Sequence, residues 1–406
     1  MQHMIEARPE SVDVDPTRLA RIDAWREQQV ASGRLAGLAT LMLRRGRVIH
    51  AGCAGLADRA RNRPWNAETI CRIYSMTKPL TSLAVLMLYE EGRFQLDDPI
   101  ARFLPAFGAM RVFVGGSFGA MQTEPALRDI TFRDLLTHTA GLTYGFMDSS
   151  PVDALYRARG LDFQTSDKTL AELVDLAASL PLLAQPGSAW NYSIATDVLG
   201  HLVAVISGQS FADFLQTRIL GPLGMRDTGF HVPDAKAARF AGLYMRTADE
   251  NLLLIDDAET GIFRKERACA SGGGGLVSTM ADYLRFCRMM LNGGSLDGVR
   301  FLGRKTLELM TANHLNGDMA AMGQPRFSES PYTGIGFGLG FSVMLDPARA
   351  QILGSPGEYA WGGAASTAFW IDPKEELAVI LLTQLLPSST WPLRRELRVL
   401  SYQALQ

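Results

Sequence analysis

The sequence predicts an α/β protein in which an antiparallel sheet is flanked by helices and interrupted by an inserted, mainly helical unit. Strand-like stretches cluster near the two ends of the chain, while the middle carries a helical apolar rhythm with little strand alternation. At 406 residues the chain is also long enough for a large core and two structural units.

"DPTRLARIDAWREQQVASG" (residues 15–33) carries Leu19, Ile22 and Trp25 at helical spacing and closes on glycine. "LATLMLRRGRVIHAGCAG" reads as two strands joined at Arg45-Gly46. "CRIYSMTKPLTSLAVLMLYEEG" (residues 71–92) supplies a long apolar helix to about Glu91. From about Phe94 to Cys269, "TFRDLLTHT", "DKTLAELVDLAASL", "SIATDVLGHLVAVISG" and "SFADFLQTRIL" read as helices between Gly- and Pro-containing loops. "SGGGGLVSTMADYLRFCRMMLNGG" opens on a glycine run expected to be flexible and returns to helix. "GFGLGFSVMLD", "STAFWID" and "ELAVILLTQ" read as strands, the last two joined at Asp372-Pro373-Lys374. "WPLRRELRVLSYQAL" is an amphipathic closing helix. Residues 1–95 and 270–406 thus form a discontinuous α/β domain and residues 96–269 the helical insert, with the active site expected in the crevice between them.

A formal net charge of −2, with no long Lys/Arg run, argues against a nucleic-acid partner or a membrane-surface patch. The charged N-terminus lacks a signal-peptide apolar core, and the most apolar run is too short to span a bilayer. Cys53, Cys71, Cys269 and Cys287 show no metal-ligand spacing and read as reduced thiols, so a cytoplasmic location is expected. Nothing in the spacing of the six histidines recommends a metal site.

Ser75 and Lys78 stand three residues apart, and Pro79 pins a helix start beside them, because proline is well tolerated only in a first turn. Lys78 then lies one turn beyond Ser75 on the same side. A nucleophile there sits in the positive field of a helix N-terminus. A bare Ser-x-x-Lys match is more often a cap beside a solvated lysine, so other segments must decide. A lysine at its reference pKa of about 10.4 is a poor base; either burial or a cationic neighbour depresses that value, or a phenolate stabilised by the adjacent ammonium takes the proton. Tyr192, directly before a helical run in "QPGSAWNYSIATDVLGHL", offers that phenol. Trp361-Gly362-Gly363 precedes the strand Ser366 to Asp372; paired glycines suit either an oxyanion site or a turn before an edge strand.

In this order the segments resemble the serine β-lactamase and penicillin-binding protein superfamily, and within it the class C β-lactamase-like family VIII carboxylesterases. Ser75-Met76-Thr77-Lys78 looks like the Ser-x-x-Lys element. Tyr192-Ser193-Ile194 stands in the place of Tyr-x-Asn, and Trp361-Gly362-Gly363 in that of Lys-Thr-Gly or Trp-x-Gly. "LLTHTAGL" (residues 135–142) and "RFQLDDPIARFLP" are similar to further stretches of the superfamily.

The resemblance implies a β-lactamase-like fold and Ser75 as acyl nucleophile, with Lys78 and Tyr192 as its coupled base. It implies an oxyanion hole from the backbone N–H groups of Ser75 and Ala364, and substrate contacts from Trp361, Gly362, Gly363, Ile194 and Tyr144. His138 would be structural. No cofactor is implied, and the partner is a small-molecule ester. Ile194 in place of asparagine and Trp361 in place of a cation remove polar contacts, favouring neutral short-chain esters over anionic lactams. An acyltransferase using the same acyl-enzyme is the main alternative. A β-lactamase or D-aminopeptidase ranks lower, and a non-catalytic penicillin-binding-like protein lowest.

"GGSFG" around Ser117 matches the nucleophile elbow of α/β-hydrolases, but its neighbourhood reads as loop, and His138, His201, His231 and His314 lie in no recognisable catalytic context.

Overall fold

The computed structural model describes residues 1–323, 329 and 331–406. Among these, eight strands pair antiparallel in one sheet: β1 (Gly37–Arg44), β2 (Arg47–Asp58), β3 (Arg63–Pro64), β4 (Ile335–Phe337), β5 (Ser342–Met344), β6 (Tyr359–Gly362), β7 (Ala368–Asp372) and β8 (Leu377–Thr383). Their spatial order is β4-β5-β6-β7-β8-β1-β2-β3. The two chain ends therefore meet at the β1–β8 pair, where Leu38 faces Thr383 and Arg44 faces Leu377. The β1–β2 turn is Arg45-Gly46, both at positive φ (48° and 76°), as a tight hairpin requires. Asp372 makes the β7–β8 turn by accepting the amides of Lys374 and Glu375.

The central strands are buried on both faces, and period two divides their side chains between two cores. Ala39, Leu41, Leu43, Phe369, Ile371, Ala378, Ile380 and Leu382 enter the larger one. Leu38, Met42, Trp370, Leu377, Val379 and Leu381 enter the smaller, which the N- and C-terminal helices cover through Leu19, Ile22, Trp25, Leu393 and Leu397. Against the larger core lies α1 (Lys78–Glu90), with every side chain from Lys78 to Leu88 buried. A helix apolar all round belongs in the centre of a protein, where each buried methylene contributes about 0.8 kcal/mol. α2 (Ala195–Ser207) packs on α1 from the middle of the chain. α3 (Met280–Leu291) and α4 (Leu393–Tyr402) follow.

Four sequence readings need correction. Trp361-Gly362 is not a turn before an edge strand: it closes β6, an interior strand whose Trp361 faces Phe369 and whose Gly362 faces Ala368. The region of Ser117 is not a loop. Arg111–Ser117 and Ala120–Pro125 form a hairpin with a register shift at Phe113/Gly115. It is largely exposed on both faces, so it lacks the alternation that announces a half-buried strand. Ser117 ends the first strand of that hairpin, exposed at the turn, and the element that follows it is a strand and not a helix.

Residues 243–256, placed in the helical insert, form the strands Leu243–Arg246 and Leu252–Asp256. The first of these pairs in parallel with Leu385–Leu386 of the C-terminal segment, a partner about 140 residues away that local pattern cannot reveal. Finally, the glycines after Ser271 are buried and wedged between α1 and α2: a Cβ on Gly272 would lie 2.5 Å from the Thr196 carbonyl oxygen. They are glycines for close approach.

No single helix among the described residues is long and apolar enough to cross a membrane. No group of three or more His, Cys, Asp or Glu side chains among them is arranged to hold a metal ion.

Candidate active site

The site begins with a buried charge. Arg72, fully buried, donates to Asp256 Oδ2 (2.7 Å) and to the Ala241 carbonyl (2.6 Å) and packs over the Phe240 ring. With its charge paired and its donors engaged, it fixes the backbone that leads to Ser75. Tyr74 follows at φ +41°, a left-handed conformation that costs a non-glycine residue energy. Tyr74–Thr77 form a 3₁₀ turn that runs into α1, with Pro79 in the first turn of the helix. The turn is pinned from outside. The Tyr283 hydroxyl of α3 donates to the Met76 carbonyl (3.0 Å), and Thr77 Oγ1 accepts the Leu276 amide (3.1 Å).

On this turn Ser75 is half-buried and faces a cavity of about 460 Å³. Lys78, 2 % exposed, projects back beneath it. An ammonium has three donors, and here each has an acceptor: the Gly273 carbonyl at 2.7 Å, Tyr144 Oη at 2.9 Å and Ser75 Oγ at 3.4 Å. The ammonium also lies 4.6 Å from the centre of the Tyr192 ring. Tyr192, just ahead of α2, places its hydroxyl 2.6 Å from Ser75 Oγ.

The Tyr192 ring is held by aromatic neighbours. Trp361 lies 5.6 Å away and His138 5.1 Å away, centre to centre. His138 itself is buried, and its Nδ1 is 3.1 Å from Ser193 Oγ. Burial, with the Lys78 charge added, holds its imidazole well below the usual histidine range, so it stays neutral and serves to pack the tyrosine.

Ser75, Tyr192, Trp361, Gly362, Gly363 and Ala364 all line the one cavity. The end of β6 comes hard against the nucleophile turn: a Cβ on Gly363 would collide with the Ile73 carbonyl oxygen. Ala364 lines the same cavity as Ser75, and its N–H donates to no partner among the described residues.

Two expected substrate contacts lie elsewhere. Ile194 is 1 % exposed and packs in the larger core, because it begins the first turn of α2 on the inward face. The apolar lining of the cavity comes from Trp361 together with Phe146, Met245, Ile335, Met344 and Ile352, and not from Ile194. Tyr144 is not part of the cavity wall either. Its hydroxyl accepts from Lys78, and only its stacking partner Phe146 (4.5 Å) reaches the cavity. Burial, reinforced by Asp197 and Tyr192, pushes its phenol well above the ordinary range.

Sequence reasoning missed Asp197. This carboxylate, 1 % exposed, accepts from the Gly273 amide (2.9 Å) and from Ser271 Oγ (2.6 Å). The Gly273 carbonyl in turn accepts from Lys78, so one residue links the acidic and the basic group. Gly273 must be glycine, since a Cβ would lie 2.5 Å from Asp197 Oδ2. Burial raises the Asp197 carboxyl, while Lys78 and the two donors oppose the rise. The signal was present: an acidic residue in the first turn of a helix that is mostly apolar.

An antiparallel sheet with this serine, lysine and tyrosine at two helix starts beside it defines a protein of the β-lactamase and penicillin-binding-protein fold. The chain belongs to the beta-lactamase family, whose model matches residues 22–403. It is 38 % identical over 361 residues to an uncharacterised protein of Mycobacterium tuberculosis, covering 88 % of this chain and 87 % of that one. It is 34 % identical over 392 residues to esterase EstB of Burkholderia gladioli, covering 92 % and 93 %. Among solved structures, EstCE1, described as a hydrolase with promiscuous acyltransferase activity, superposes with a TM-score of 0.80 at 30 % identity, covering 95 % of this chain and 98 % of that one.

Proposed function

We propose that the chain is a serine carboxylesterase acting on small neutral esters through an acyl-enzyme on Ser75. The observation that carries this reading is the convergence on Ser75 Oγ of Tyr192 Oη at 2.6 Å and Lys78 Nζ at 3.4 Å, at the wall of an apolar cavity. The relative named as an esterase and the structural neighbour named as a hydrolase support it.

In the first half-reaction Ser75 Oγ attacks the ester carbonyl carbon while its proton passes to the Lys78–Tyr192 pair. The oxyanion is received by the N–H groups of Ser75 and Ala364. As the tetrahedral intermediate collapses, the C–O bond to the alcohol breaks and the pair returns the proton to the leaving oxygen. In the second half the pair takes a proton from water, which attacks the acyl carbon, and Ser75 regains its proton as the acid leaves. All groups are side chains or amides of the chain itself.

The cavity, about 460 Å³, is at the small end of ligand pockets, and Trp361 is braced by Tyr192 and by Phe337 at 5.3 Å. A braced indole in place of a cation favours a neutral, short acyl group. Across a series of p-nitrophenyl esters, kcat/KM is expected to be highest for acetyl to butyryl and to fall for decanoyl, with nitrocefin turned over far more slowly. Efficient nitrocefin hydrolysis, or a maximum at decanoyl, would overturn the substrate assignment. An alcohol can replace water in the second half-reaction, and the acyltransferase activity named for EstCE1 favours testing it. Transfer exceeding hydrolysis at modest added alcohol would make acyl transfer the principal reaction.

Asp197→Asn keeps the volume but removes the charge that faces Lys78 through Gly273. A fall in kcat of about 10- to 100-fold with KM nearly unchanged is expected, since the carboxylate orients the base and does not touch substrate. Steady-state kinetics on p-nitrophenyl butyrate check it. Unchanged kcat would show that Lys78 holds its place without Asp197.

A further inference from the structure

We propose that Arg394 is a positioning residue for the oxyanion site, setting the direction of the Ala364 N–H. This rests on the acyl-enzyme reading above. Arg394 lies in the first turn of α4 and itself lines the cavity that Ser75 faces, and its sequence surroundings give no hint of a role in the site.

Its Nη2 donates to the Gly363 carbonyl at 3.0 Å and to the Thr367 carbonyl at 2.9 Å. The Gly363 amide also donates to the Thr367 carbonyl at 2.9 Å. Three hydrogen bonds thus close the turn from Gly363 to Thr367, and the guanidinium makes two of them. The guanidinium reaches its place only because residue 362 is glycine: a Cβ there would lie 2.5 Å from Arg394 Nη2 and 2.6 Å from Cζ. Glu329 supplies the nearby countercharge, its Oε1 3.9 Å from Arg394 Nε, while its Oε2 accepts the amides of Arg394 and Arg395 at the start of α4.

The decisive point is which peptide unit is held. The Gly363 carbonyl and the Ala364 N–H belong to the same planar trans peptide, so they point in opposite directions. Drawing the carbonyl toward Arg394 turns the Ala364 N–H away from the guanidinium, and Ser75, Ala364 and Arg394 all line the same cavity. A charge-assisted bond to the carbonyl also polarises the peptide and strengthens its N–H as a donor. Trp361-Gly362-Gly363 therefore has a second purpose beyond close approach to the nucleophile. Gly362 admits the guanidinium on one side, and Gly363 admits the Ile73 carbonyl on the other.

The test uses Arg394→Ala and Arg394→Lys in the full chain, with pre-steady-state release of p-nitrophenol from the butyrate ester and inhibition by phenylboronic acid. The boronate adds to Ser75 and places an oxygen where the oxyanion forms. In Arg394→Ala the acylation rate is expected to fall about 10- to 100-fold and boronate affinity to fall in parallel, with KM within about 3-fold of wild type. Arg394→Lys, lacking the planar fork, is expected to fall between. Added methylguanidinium is expected to restore part of the rate to Arg394→Ala, which a general loss of structure would not allow. Wild-type acylation and boronate affinity in either variant would overturn the proposal, and if Arg394→Ala does not fold, Arg394→Lys decides alone. Failure of wild-type protein to acylate Ser75 at all would instead defeat the esterase reading, so the two failures are distinct.

Discussion

Ser75→Ala is expected to lower turnover of p-nitrophenyl butyrate by about 10⁴- to 10⁶-fold while leaving the melting temperature within a few degrees of wild type. The two halves of that expectation have separate causes. The hydroxyl's contacts are to Tyr192 and Lys78, both parts of the chemical apparatus. The turn that carries it is held by other bonds, from Tyr283 to the Met76 carbonyl and from the Leu276 amide to Thr77, and these do not involve Oγ. Residual rate would come from the oxyanion amides and the cavity, which alanine leaves in place. Ser117→Ala is the matched control, since Ser117 stands exposed at the end of a hairpin and is not part of the cavity wall. Its kinetics are expected to equal those of wild type. Activity assays and thermal melts on the two variants check both statements.

The second large effect concerns the base. Tyr192→Phe keeps the ring between Trp361 and His138 and removes only the hydroxyl, so the fold is expected to be unaffected. Its kcat is expected to fall about 10²- to 10⁴-fold, the usual contribution of a positioned base. Lys78→Met is expected to fall by a similar factor but with a loss of stability. It strips the donor from the Gly273 carbonyl and from Tyr144 Oη, and an unsatisfied buried polar group costs about 1–3 kcal/mol. Methionine is preferred to alanine because it fills the space of the lysine stem. The double variant is expected to be little worse than the poorer single one, because the two groups handle one proton as a unit. Losses that multiply in full would show two independent functions.

What the sequence made legible was local. Pro79, Arg45-Gly46 and Asp372-Pro373 each act on the backbone within a few residues, and each marks its element correctly. The spacing of Ser75 and Lys78 is a property of one turn, and the structure places the two side chains together. Several unread features depend on contacts between distant segments. Asp197 and Gly273 acquire their meaning from each other across 76 residues. The strand Leu243–Arg246, which pairs locally with Leu252–Asp256, is joined on its other side by Leu385–Leu386, and Arg394 meets a turn about 30 residues before it.

Ile194 shows a different limit. Sequence position beside Tyr192 places its backbone near the site, but the first turn of α2 rotates its side chain into the core. The glycine run after Ser271 shows the same limit for backbone. Glycine permits both flexibility and tight packing, and only the surrounding helices decide between them.

The most direct test of the central claim is to identify the nucleophile chemically. The protein would be treated with a p-nitrophenyl alkylphosphonate, which transfers its phosphonyl group to an activated serine with loss of p-nitrophenol. Intact-mass measurement and peptide mapping would then locate the adduct. A single adduct on the peptide containing Ser75, absent from Ser75→Ala and slowed in Tyr192→Phe, is the expected result. An adduct on Ser117, or ester turnover that persists undiminished in Ser75→Ala, would contradict it.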